Sequence, residues 1–536
     1  LYNRGYATAE RARAFLNAEP DFDPDPLRLL GMDAAVDRIL YAIRHAEPIA
    51  IYGDYDVDGV TATALLVQTL RALGGEAHPY IPNRFDEGYG LNGDALTQLA
   101  ASGIKLVITV DCGIRSPEEA RLARTLGLDL LISDHHHPGE TLPEALAVIN
   151  PKQPGDPYPD KDLAGVGLAY KIAQALIRRA QSPPLSASDL LDLVALGTVA
   201  DLAPLTGENR HLVRHGLWQI HQTRRQGLAS LAAVAEVPLR SVTATHIGYV
   251  LGPRLNAAGR LDEALAAYEL LITTDPMRAG HLAQQLDVQN RERQRITRRI
   301  QEQAEALALA EDPDALLLFA VHPEFNPGVV GLAAARLTEK YYRPAIVGQR
   351  GEETTRCSCR SIPEFHITQA LDQCADLLVR HGGHAAAAGF TVRNENLPEL
   401  IARLKSIAAE HLAGEDLRPT LVADMEIPLS DLKPEVLNYL EALEPTGYGN
   451  PGAVFVSRDV RVAHARTVGA EGRHLKLKVT DGRITFDAIA FRLGSLYPDL
   501  PPRVDIMYRF ELNEYNGRTT LQLNVRDLKA AGLPDS

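Results

Sequence analysis

The hydrophobic pattern between residues 49 and 150 alternates short apolar runs with longer segments of helical periodicity. Five of the runs are strand-like, and they span residues 48–52, 76–81, 105–110, 129–133 and 146–149. Helix-like segments separate them. Such alternation predicts an α/β unit in which a parallel sheet carries helices on both faces.

The rest of the chain changes its pattern three times. Residues 281–310 contain neither glycine nor proline and keep apolar positions at helical spacing, which predicts a long connecting helix. A second α/β pattern follows, and after it short alternating strands separated by Gly-Arg and Asn-Gly turns favour a small all-β barrel. We therefore predict a helical segment at 1–48, a first α/β unit at 49–280, the helix at 281–313, a second α/β unit at 314–412 and the barrel at 413–536.

Composition narrows the class of protein without naming a function. The 536 residues exceed one hydrophobic core, and 45% hydrophobic with 23% charged residues is ordinary for a globular protein. The net charge of −14 is not the overall basic footprint of nucleic-acid binders, but it is compatible with a local basic groove. No apolar run approaches the roughly 18 residues of a membrane span. Four cysteines suit a reducing compartment, so we expect a cytoplasmic protein, and because residue 1 is leucine we expect the native N-terminus to lie upstream.

Acidic and imidazole side chains follow three of the predicted strands at the point where each strand ends. They are Asp54, Asp56 and Asp58 after the first strand, Asp111 after the third, and Asp134, His135 and His136 after the fourth. Ligands of open α/β sheets gather beyond the carboxyl ends of the strands, and these donor types suit Mg²⁺ or Mn²⁺. Asp201, which follows another apolar run and precedes Pro204, is a further candidate. The spacing therefore predicts a metal site at this edge.

Two other interpretations of the first acidic stretch compete with a metal site. It could be a solvated turn, and its DxDxDG spacing also opens a calcium loop of the EF-hand type. The EF-hand needs a glutamate at the twelfth position counted from Asp54, and Leu65 stands there. The EF-hand is thereby excluded. Repetition of acids behind three strands favours a metal site over a solvated turn.

Four ordered motifs resemble those of the DHH phosphoesterase superfamily. They are Tyr-Gly-Asp-Tyr-Asp-Val-Asp-Gly-Val-Thr from residue 52, Val-Asp-Cys-Gly from 110, Ser-Asp-His-His from 133 and Gly-Thr-Val-Ala-Asp from 197. Further stretches, such as 252–260 and 382–389, most resemble the RecJ family of bacterial single-strand-specific 5′→3′ DNA exonucleases. The resemblance covers nearly the whole chain. It implies that the first α/β unit is a DHH domain, the second a DHHA1 domain, and the barrel an OB-fold.

The resemblance also implies a chemistry and its residues. It implies two divalent cations, Mn²⁺ or Mg²⁺, held by Asp54, Asp56, Asp58, Asp111, His135 and Asp201. Asp111 would bridge the two cations, His136 would donate to the phosphate, and Asp134 would orient a histidine. The implied substrate contacts are Arg84, Ser358 and Arg360 for a 5′-phosphate, Tyr89 for stacking on a base, and Arg254, Asn256, Arg260 and His384 along the strand.

The expected function is degradation of single-stranded DNA from the 5′ end to nucleoside 5′-monophosphates in repair and recombination. We expect a monomer whose partner is single-stranded DNA, with a single-strand-binding protein and a RecQ-type helicase as candidate protein partners. One alternative is a phosphoesterase of oligoribonucleotides or cyclic dinucleotides, a class that generally lacks a C-terminal barrel. The other is a non-catalytic single-strand-binding scaffold, a class that typically loses metal ligands.

Overall fold

Three β-sheets organise the molecule, one after another along the chain. The computed structural model describes residues 1–84, 87–88, 90–180, 183–261, 264–515 and 518–533. Within those ranges no helix has the length and apolar character needed to cross a membrane.

The first sheet contains five parallel strands in the spatial order β2-β1-β3-β4-β5. The strands are β1 (Ile49–Gly53), β2 (Ala77–Tyr80), β3 (Leu106–Val110), β4 (Asp129–Ser133) and β5 (Ala147–Ile149). Each agrees with its predicted range to within two residues. The chain runs from β1 to one edge and returns to β3 on the other side, so the strand order reverses between β1 and β3. Such a reversal opens a crevice beyond the carboxyl ends of these two strands.

Both faces of this sheet are covered, as the alternating apolar pattern predicts. Along β1, Ile49 and Ile51 face the larger core, whereas Ala50 and Tyr52 face a second core on the other side. The helices of this unit are α1 (Ala9–Asn17), α2 (Met32–Arg44), α3 (Val57–Ala72), α4 (Gly93–Ala101), α5 (Pro117–Thr125), α6 (Gly165–Arg179), α7 (Leu191–Ala200), α8 (Gly207–His221), α9 (Gln226–Val234), α10 (Ala244–His246), α11 (Gly252–Leu261) and α12 (Leu265–Ile272).

A single long helix, α13 (Pro276–Glu311), links the two α/β units. The Asp275 side chain accepts a hydrogen bond from the Met277 N–H, and Pro276 occupies the first helical position, so two features that favour a helix start coincide. Leu286 packs in the first core and Ile300 packs under the second sheet. Four of its arginines have exposed side chains that form ion pairs, as expected of a solvated face: Arg291, Arg295, Arg298 and Arg299.

The second sheet is mixed and has the order β6-β7-β8-β10-β9. Its strands are β6 (Leu318–His322), β7 (Ala345–Arg350), β8 (Thr354–Arg360), β9 (Leu378–Gly383) and β10 (Ala387–Arg393). Its helices are α14 (Val330–Tyr341), α15 (Ile367–Asp372) and α16 (Leu397–Leu412). Only β6 and β7 pair in parallel, whereas the β7–β8, β8–β10 and β9–β10 pairs are antiparallel.

The C-terminal part is a closed five-stranded barrel, since β12 pairs with both β13 and β15. The elements are β11 (Met425–Glu426), α17 (Glu435–Glu441), β12 (Phe455–Val468), β13 (His474–Thr480), β14 (Thr485–Ala490), β15 (Arg503–Tyr515) and β16 (Arg518–Ala530). The alternating sequence pattern predicts two separate strands here, at 454–456 and 461–465. The structure shows one strand, β12, which bends at register shifts between Ser457 and Val460 and between Val462 and His464. Phe455 belongs to the barrel core, whereas Phe491 is 53% exposed.

Candidate metal centre and adjoining basic pocket

The side chains predicted at the strand ends meet in the crevice beside β1 and β3. Three groups of possible ligand atoms lie there, and within each group the atoms are within 4.8 Å of one another. The groups are Asp54 with Asp56 and Asp111, Asp111 with His135 and His136, and Asp58 with His135 and Asp201. All six predicted metal ligands are thus brought into one cluster, and Asp111 and His135 each belong to two of its groups.

The imidazole of His135 lies among three carboxylates. Its Nε2 is 3.0 Å from Asp111 Oδ1, 3.8 Å from Asp201 Oδ2 and 3.9 Å from Asp58 Oδ2. One ring nitrogen cannot hydrogen-bond all three oxygens. Burial, followed by the nearby His136, lowers the pKa of His135 to about 3. The imidazole is therefore neutral, which is the form that ligates metals.

Burial of the carboxylates in the cluster disfavours their charged form more than their hydrogen bonds favour it. Burial raises the pKa of Asp58 to about 7 and that of Asp201 to about 9, and it raises the pKa of Asp54 and Asp111 well above the ordinary range. Repulsion between neighbouring carboxylates acts in the same direction. Among the described residues, Asp54 Oδ1, Asp111 Oδ1 and His135 Nε2 are buried without a hydrogen-bond partner. Buried acceptors of this kind are satisfied by protons or by a cation, and the oxygen-rich donor set fits hard divalent ions.

The loop after β1 is built to present its acids. Asp56 caps α3, because its Oδ1 accepts the N–H groups of Asp58 at 2.9 Å and Gly59 at 3.1 Å. Both oxygens of Asp58 accept backbone N–H groups at the start of α6, at 2.7 Å each. A Cβ on Gly59 would lie 2.5 Å from the backbone N and O of Asp54, so this position requires glycine. Asp111 has a φ of 62°, an uncommon conformation that the surrounding packing must maintain.

His136 and Asp134 form a separate pair at the rim of the cluster. His136 Nδ1 lies 2.7 Å from Asp134 Oδ1, and Asp134 also accepts the backbone N–H groups of His136 and Ile114 at 3.0 and 2.9 Å. Burial works to raise the pKa of Asp134, but the bonds from His136 hold it below its ordinary value. For His136, burial acts to lower the pKa, but the contact with Asp134 outweighs burial and the pKa is raised. The pair therefore favours an imidazolium beside an ionised carboxylate.

A basic pocket adjoins the centre, between the first α/β unit and the second sheet. Its cavity of about 450 Å³ is lined by Tyr55 and Arg84 on one side and by Ser358, Arg356 and Arg380 on the other. Small residues meet in one row of this lining, where Gly389 pairs with Ser358 on β8 and with Gly382 on β9. Arg360 follows on the same face of β8 as Ser358, and its pKa is lowered by burial and by the proximity of Arg84.

The remaining predicted substrate residues have different surroundings. Arg254 Nε donates to Asp287 Oδ1 at 3.0 Å, and Asn256 Oδ1 accepts the N–H of Val57 at 3.1 Å, which ties α11 to the first motif. Burial, with Arg84 as the next cause, lowers the pKa of Arg260 to about 10. The pKa of His384 is lowered by burial and by the positive charge of Arg115 in the first unit. Tyr89 lies outside the described residues.

Several residues of the site were not anticipated from the sequence. Asn150 follows β5 and donates from Nδ2 to the carbonyl of His136 at 2.9 Å, so the strand-end rule used for the acids would have found it. Arg356 and Arg380 belong to the pocket because Thr391 pairs with each of them in the second sheet. No local motif indicates those two pairings.

Family models match this arrangement along the chain. They are the DHH family N-terminal domain at residues 48–198, the DHHA1 domain at 314–410 and the RecJ OB domain at 423–527. The parallel sheet and its buried acid and imidazole cluster thus define the class as a DHH-type phosphoesterase fold with a C-terminal OB barrel.

Individual relatives narrow the class further. The chain is 39% identical over 531 residues to the single-stranded-DNA-specific exonuclease RecJ of Bacillus subtilis, covering 98% of this chain and 67% of that protein. The crystal structure of RecJ in complex with Mn²⁺ from Thermus thermophilus superposes with a TM-score of 0.86 at 32% identity, covering 100% of this chain and 75% of the other. The Mg²⁺ complex from the same organism gives 0.80 at 31%, with 100% and 74% covered. The chain belongs to the RecJ family.

Proposed function

We propose that the chain is a metal-dependent exonuclease that hydrolyses single-stranded DNA from its 5′ end to nucleoside 5′-monophosphates, in DNA repair and recombination. The observation that carries this proposal is the position of the basic pocket. Tyr55 lines the pocket, and its chain neighbours Asp54 and Asp56 belong to the candidate metal centre. A terminal phosphate in the pocket would therefore leave the first phosphodiester close to the metal ligands. The relatives are named as single-stranded-DNA-specific exonucleases.

In this proposal two divalent cations, Mn²⁺ or Mg²⁺, are held by Asp54, Asp56, Asp58, Asp111, His135 and Asp201. When bound, such a pair activates the attacking water and neutralises the charge that builds on the phosphate. Asp111 and His135 each belong to two ligand groups, and of the two Asp111 would suit the bridging role because its carboxylate has two oxygens. The presence of Mn²⁺ or Mg²⁺ in the RecJ structures supports the choice of ions.

His136 is proposed to donate to a phosphate oxygen as negative charge develops there. Its raised pKa and its Nδ1 bond to Asp134 support this role, because both favour the imidazolium. Asp134 is proposed to orient His136. Its three hydrogen bonds keep the carboxylate ionised and fix its position, as outer partners of a metal centre generally do.

Arg84, Ser358 and Arg360 are proposed to bind the 5′-phosphate. One guanidinium group can bind two phosphate oxygens at once. Gly382 and Gly389 leave room in the pocket for the phosphate. Arg356 and Arg380 add positive charge to the same pocket. An exonuclease that recognises a 5′ end needs such a terminal anion site next to its metal centre.

The strand is proposed to continue along Arg254, Asn256, Arg260 and His384, with Tyr89 stacking on a base. The barrel would bind the strand further along. There the exposed Phe491 offers a stacking surface, and Lys476 and Lys478 of β13 offer positive charge. The domains of this proposal are the DHH domain at 49–280, the connecting helix at 281–313, the DHHA1 domain at 314–412 and the OB-fold at 413–536, preceded by the helical segment at 1–48.

The proposed partner is single-stranded DNA, and the proposed protein partners are a single-strand-binding protein and a RecQ-type helicase. We propose that the enzyme acts as a monomer. A cytoplasmic location is part of the same proposal, and the four buried cysteines, all with free thiols, suit a reducing compartment.

The test is digestion of single strands labelled at the 5′ or the 3′ end, beside a blunt duplex, with Mn²⁺ or with EDTA. We expect metal-dependent release of labelled 5′-mononucleotide from the 5′-labelled single strand at the earliest times, and an intact duplex. Early release of label from the 3′ end would contradict the polarity. Binding without cleavage would favour the scaffold, and cleavage restricted to dinucleotides would favour the small-substrate phosphoesterase.

A further inference from the structure

Arg210 of α8 is a buried arginine whose hydrogen bonds all reach main-chain carbonyl groups. Its side chain is 1% exposed. The five bonds reach Phe15 O at 3.0 Å, Leu443 O at 2.8 Å, Pro445 O at 3.1 Å, Ala442 O at 3.2 Å and Glu444 O at 3.0 Å. Because a guanidinium carries five N–H donors, these bonds use its whole donor capacity. The Arg210 guanidinium carbon also lies 4.0 Å from the centre of the Phe15 ring.

Four of the five carbonyls belong to the segment that leads into the barrel. Residues 442–445 directly follow α17 and lie outside the helix, so their carbonyl groups take no part in its hydrogen bonds. Arg210 supplies hydrogen-bond donors to all four of these carbonyls. The segment is folded on itself as well, because Asn450 Nδ2 donates to Leu443 O at 3.0 Å and Pro445 O at 2.9 Å.

Other contacts attach the same segment to the first α/β unit. The backbone N–H of Leu205 donates to Tyr448 O at 2.7 Å. Arg4 donates to Asn450 Oδ1 at 2.9 Å and to Pro451 O at 2.7 Å, and it also pairs with Asp424 at 2.7 Å. The barrel is therefore attached through a hydrogen-bonded segment, residues 442–451, which we call the seat.

The residues that bind the seat are close in sequence to a predicted metal ligand. Asp201 ends α7, Leu205 binds the seat, and Arg210 lies in the first turns of α8. A short segment of chain thus carries both a predicted metal ligand and the residues that hold the barrel. A shift of the seat would change the path between barrel and metal centre.

We propose that Arg210 is a positioning residue, which fixes the barrel relative to the metal centre so that a strand bound by both is held in one path. This inference rests on the proposed exonuclease function. With the seat fixed, a strand held by the barrel is presented to the metal centre as if by an intramolecular step. This gain in effective concentration at the metal centre exists only for DNA strands long enough to reach the barrel.

The test compares Arg210→Lys with the unsubstituted protein on a 5′-phosphorylated 40-mer and on a 5′-phosphorylated trinucleotide. Lysine keeps the charge but has three donors, so it cannot serve all five carbonyls. We expect KM for the 40-mer to rise about tenfold, because the second contact loses effective concentration, with kcat unchanged. For the trinucleotide, we expect both constants to stay as they are.

Arg214→Lys is the matched control, since Arg214 lies one turn further along α8 and donates to Leu16 O, not to the seat. It should leave the ratio of the two KM values unchanged. Arg4→Ala is the second variant, because Arg4 holds the seat from its other side and is less buried than Arg210. It should raise the 40-mer KM in the same manner, and it decides the question if Arg210→Lys does not fold.

Equal losses on both substrates would overturn the proposal, because they would indicate damage to the catalytic domain. Unchanged KM for the 40-mer in folded Arg210→Lys, or in Arg4→Ala if the first variant does not fold, would overturn it too. A different result would contradict the exonuclease assignment itself: no metal-dependent cleavage of either substrate by the unsubstituted protein.

Discussion

His135 Nε2 lies 3.0 Å from Asp111 Oδ1 at the point where β3 and β4 end. Within the part of the chain that the structure describes, neither atom has a hydrogen-bond partner. Because burial keeps the His135 imidazole neutral, its Nε2 and the Asp111 Oδ1 can both serve as ligand atoms for a cation at these strand ends. This contact joins the ligand groups of the cluster, because Asp111 and His135 each belong to two of them.

Replacing Asp111 by Asn should abolish cleavage while the fold persists. The amide lacks the negative charge of the predicted bridging ligand, and even changes to outer partners of a metal site cost about 10–100-fold. We expect a loss of more than about a hundredfold in kcat/KM, measured with a labelled single strand. Asp94→Asn, at an exposed position in the first turn of α4, is the matched control and should behave as the unsubstituted protein. If Asp111→Asn kept its activity within a few fold of the unsubstituted protein, the assignment of Asp111 as a metal ligand would be wrong.

Gly165 and Gly167 should respond differently to alanine although both lie in the first turn of α6. A Cβ on Gly165 would be 2.7 Å from Asp111 Cβ, whereas a Cβ on Gly167 would meet Leu163 at an ordinary 3.5 Å. Displacement of Asp111 by about 1 Å can cost about a hundredfold in rate, so Gly165→Ala should lose most of its kcat and bind Mn²⁺ more weakly by calorimetry. Gly167→Ala should keep kcat and gain up to about 1 kcal/mol of stability. Equal activity in the two variants would contradict the packing argument.

Arg356→Ala should reduce the preference for a 5′-phosphate over a 5′-hydroxyl end. A hydrogen bond to a charged group contributes about 1.5–3 kcal/mol, so we expect the ratio of kcat/KM for the two ends to fall at least about tenfold. Arg350→Ala is the control, because Arg350 is exposed and pairs with Thr355, on the face of the sheet opposite to Arg356. If Arg350→Ala changes the ratio as much, the pocket does not recognise the end.

Lys171→Met should destabilise the first α/β unit without touching the metal centre. Lys171 and Glu208 form an ion pair in which both side chains are buried, at 1% and 2% exposure, and Tyr158 donates to the same carboxylate at 2.5 Å. Removing Lys171 leaves the buried Glu208 charge without its partner. We expect this to lower the free energy of unfolding by about 3–5 kcal/mol, measured by urea titration. Arg124→Met in the same unit removes an ion pair with Glu144 in which both side chains are exposed, at 68% and 64%, and should cost at most about 1 kcal/mol. A small effect in Lys171→Met would mean that Glu208 is protonated in the fold.

The edge of the first sheet could be predicted because strand ends are local features. Asp54, Asp111 and Asp134 each follow a short apolar run, and parallel strands bring their carboxyl ends together without further information. The long helix was equally predictable, since residues 281–310 contain no glycine or proline. Both inferences depend on interactions close in sequence.

Long-range pairings account for what the sequence did not show. The pocket contains Arg356 and Arg380 because β8, β10 and β9 pair in one particular antiparallel register. Arg254 meets Asp287 on a helix more than thirty residues away, and that acid partner was not foreseen. In the barrel, β12 continues through two register shifts where the alternating pattern breaks, so it looked like two strands.

The most direct test of the account is anomalous diffraction from crystals of the protein grown with Mn²⁺. We predict two anomalous peaks about 3.5–4 Å apart, with Asp111 between them and with His135 and Asp58 among the ligands. Substitution of Asp111 by Asn should remove at least one of the peaks. Anomalous peaks away from this cluster, or none with Mn²⁺ in excess, would contradict the claim that the carboxyl edge of the first sheet is a two-metal centre.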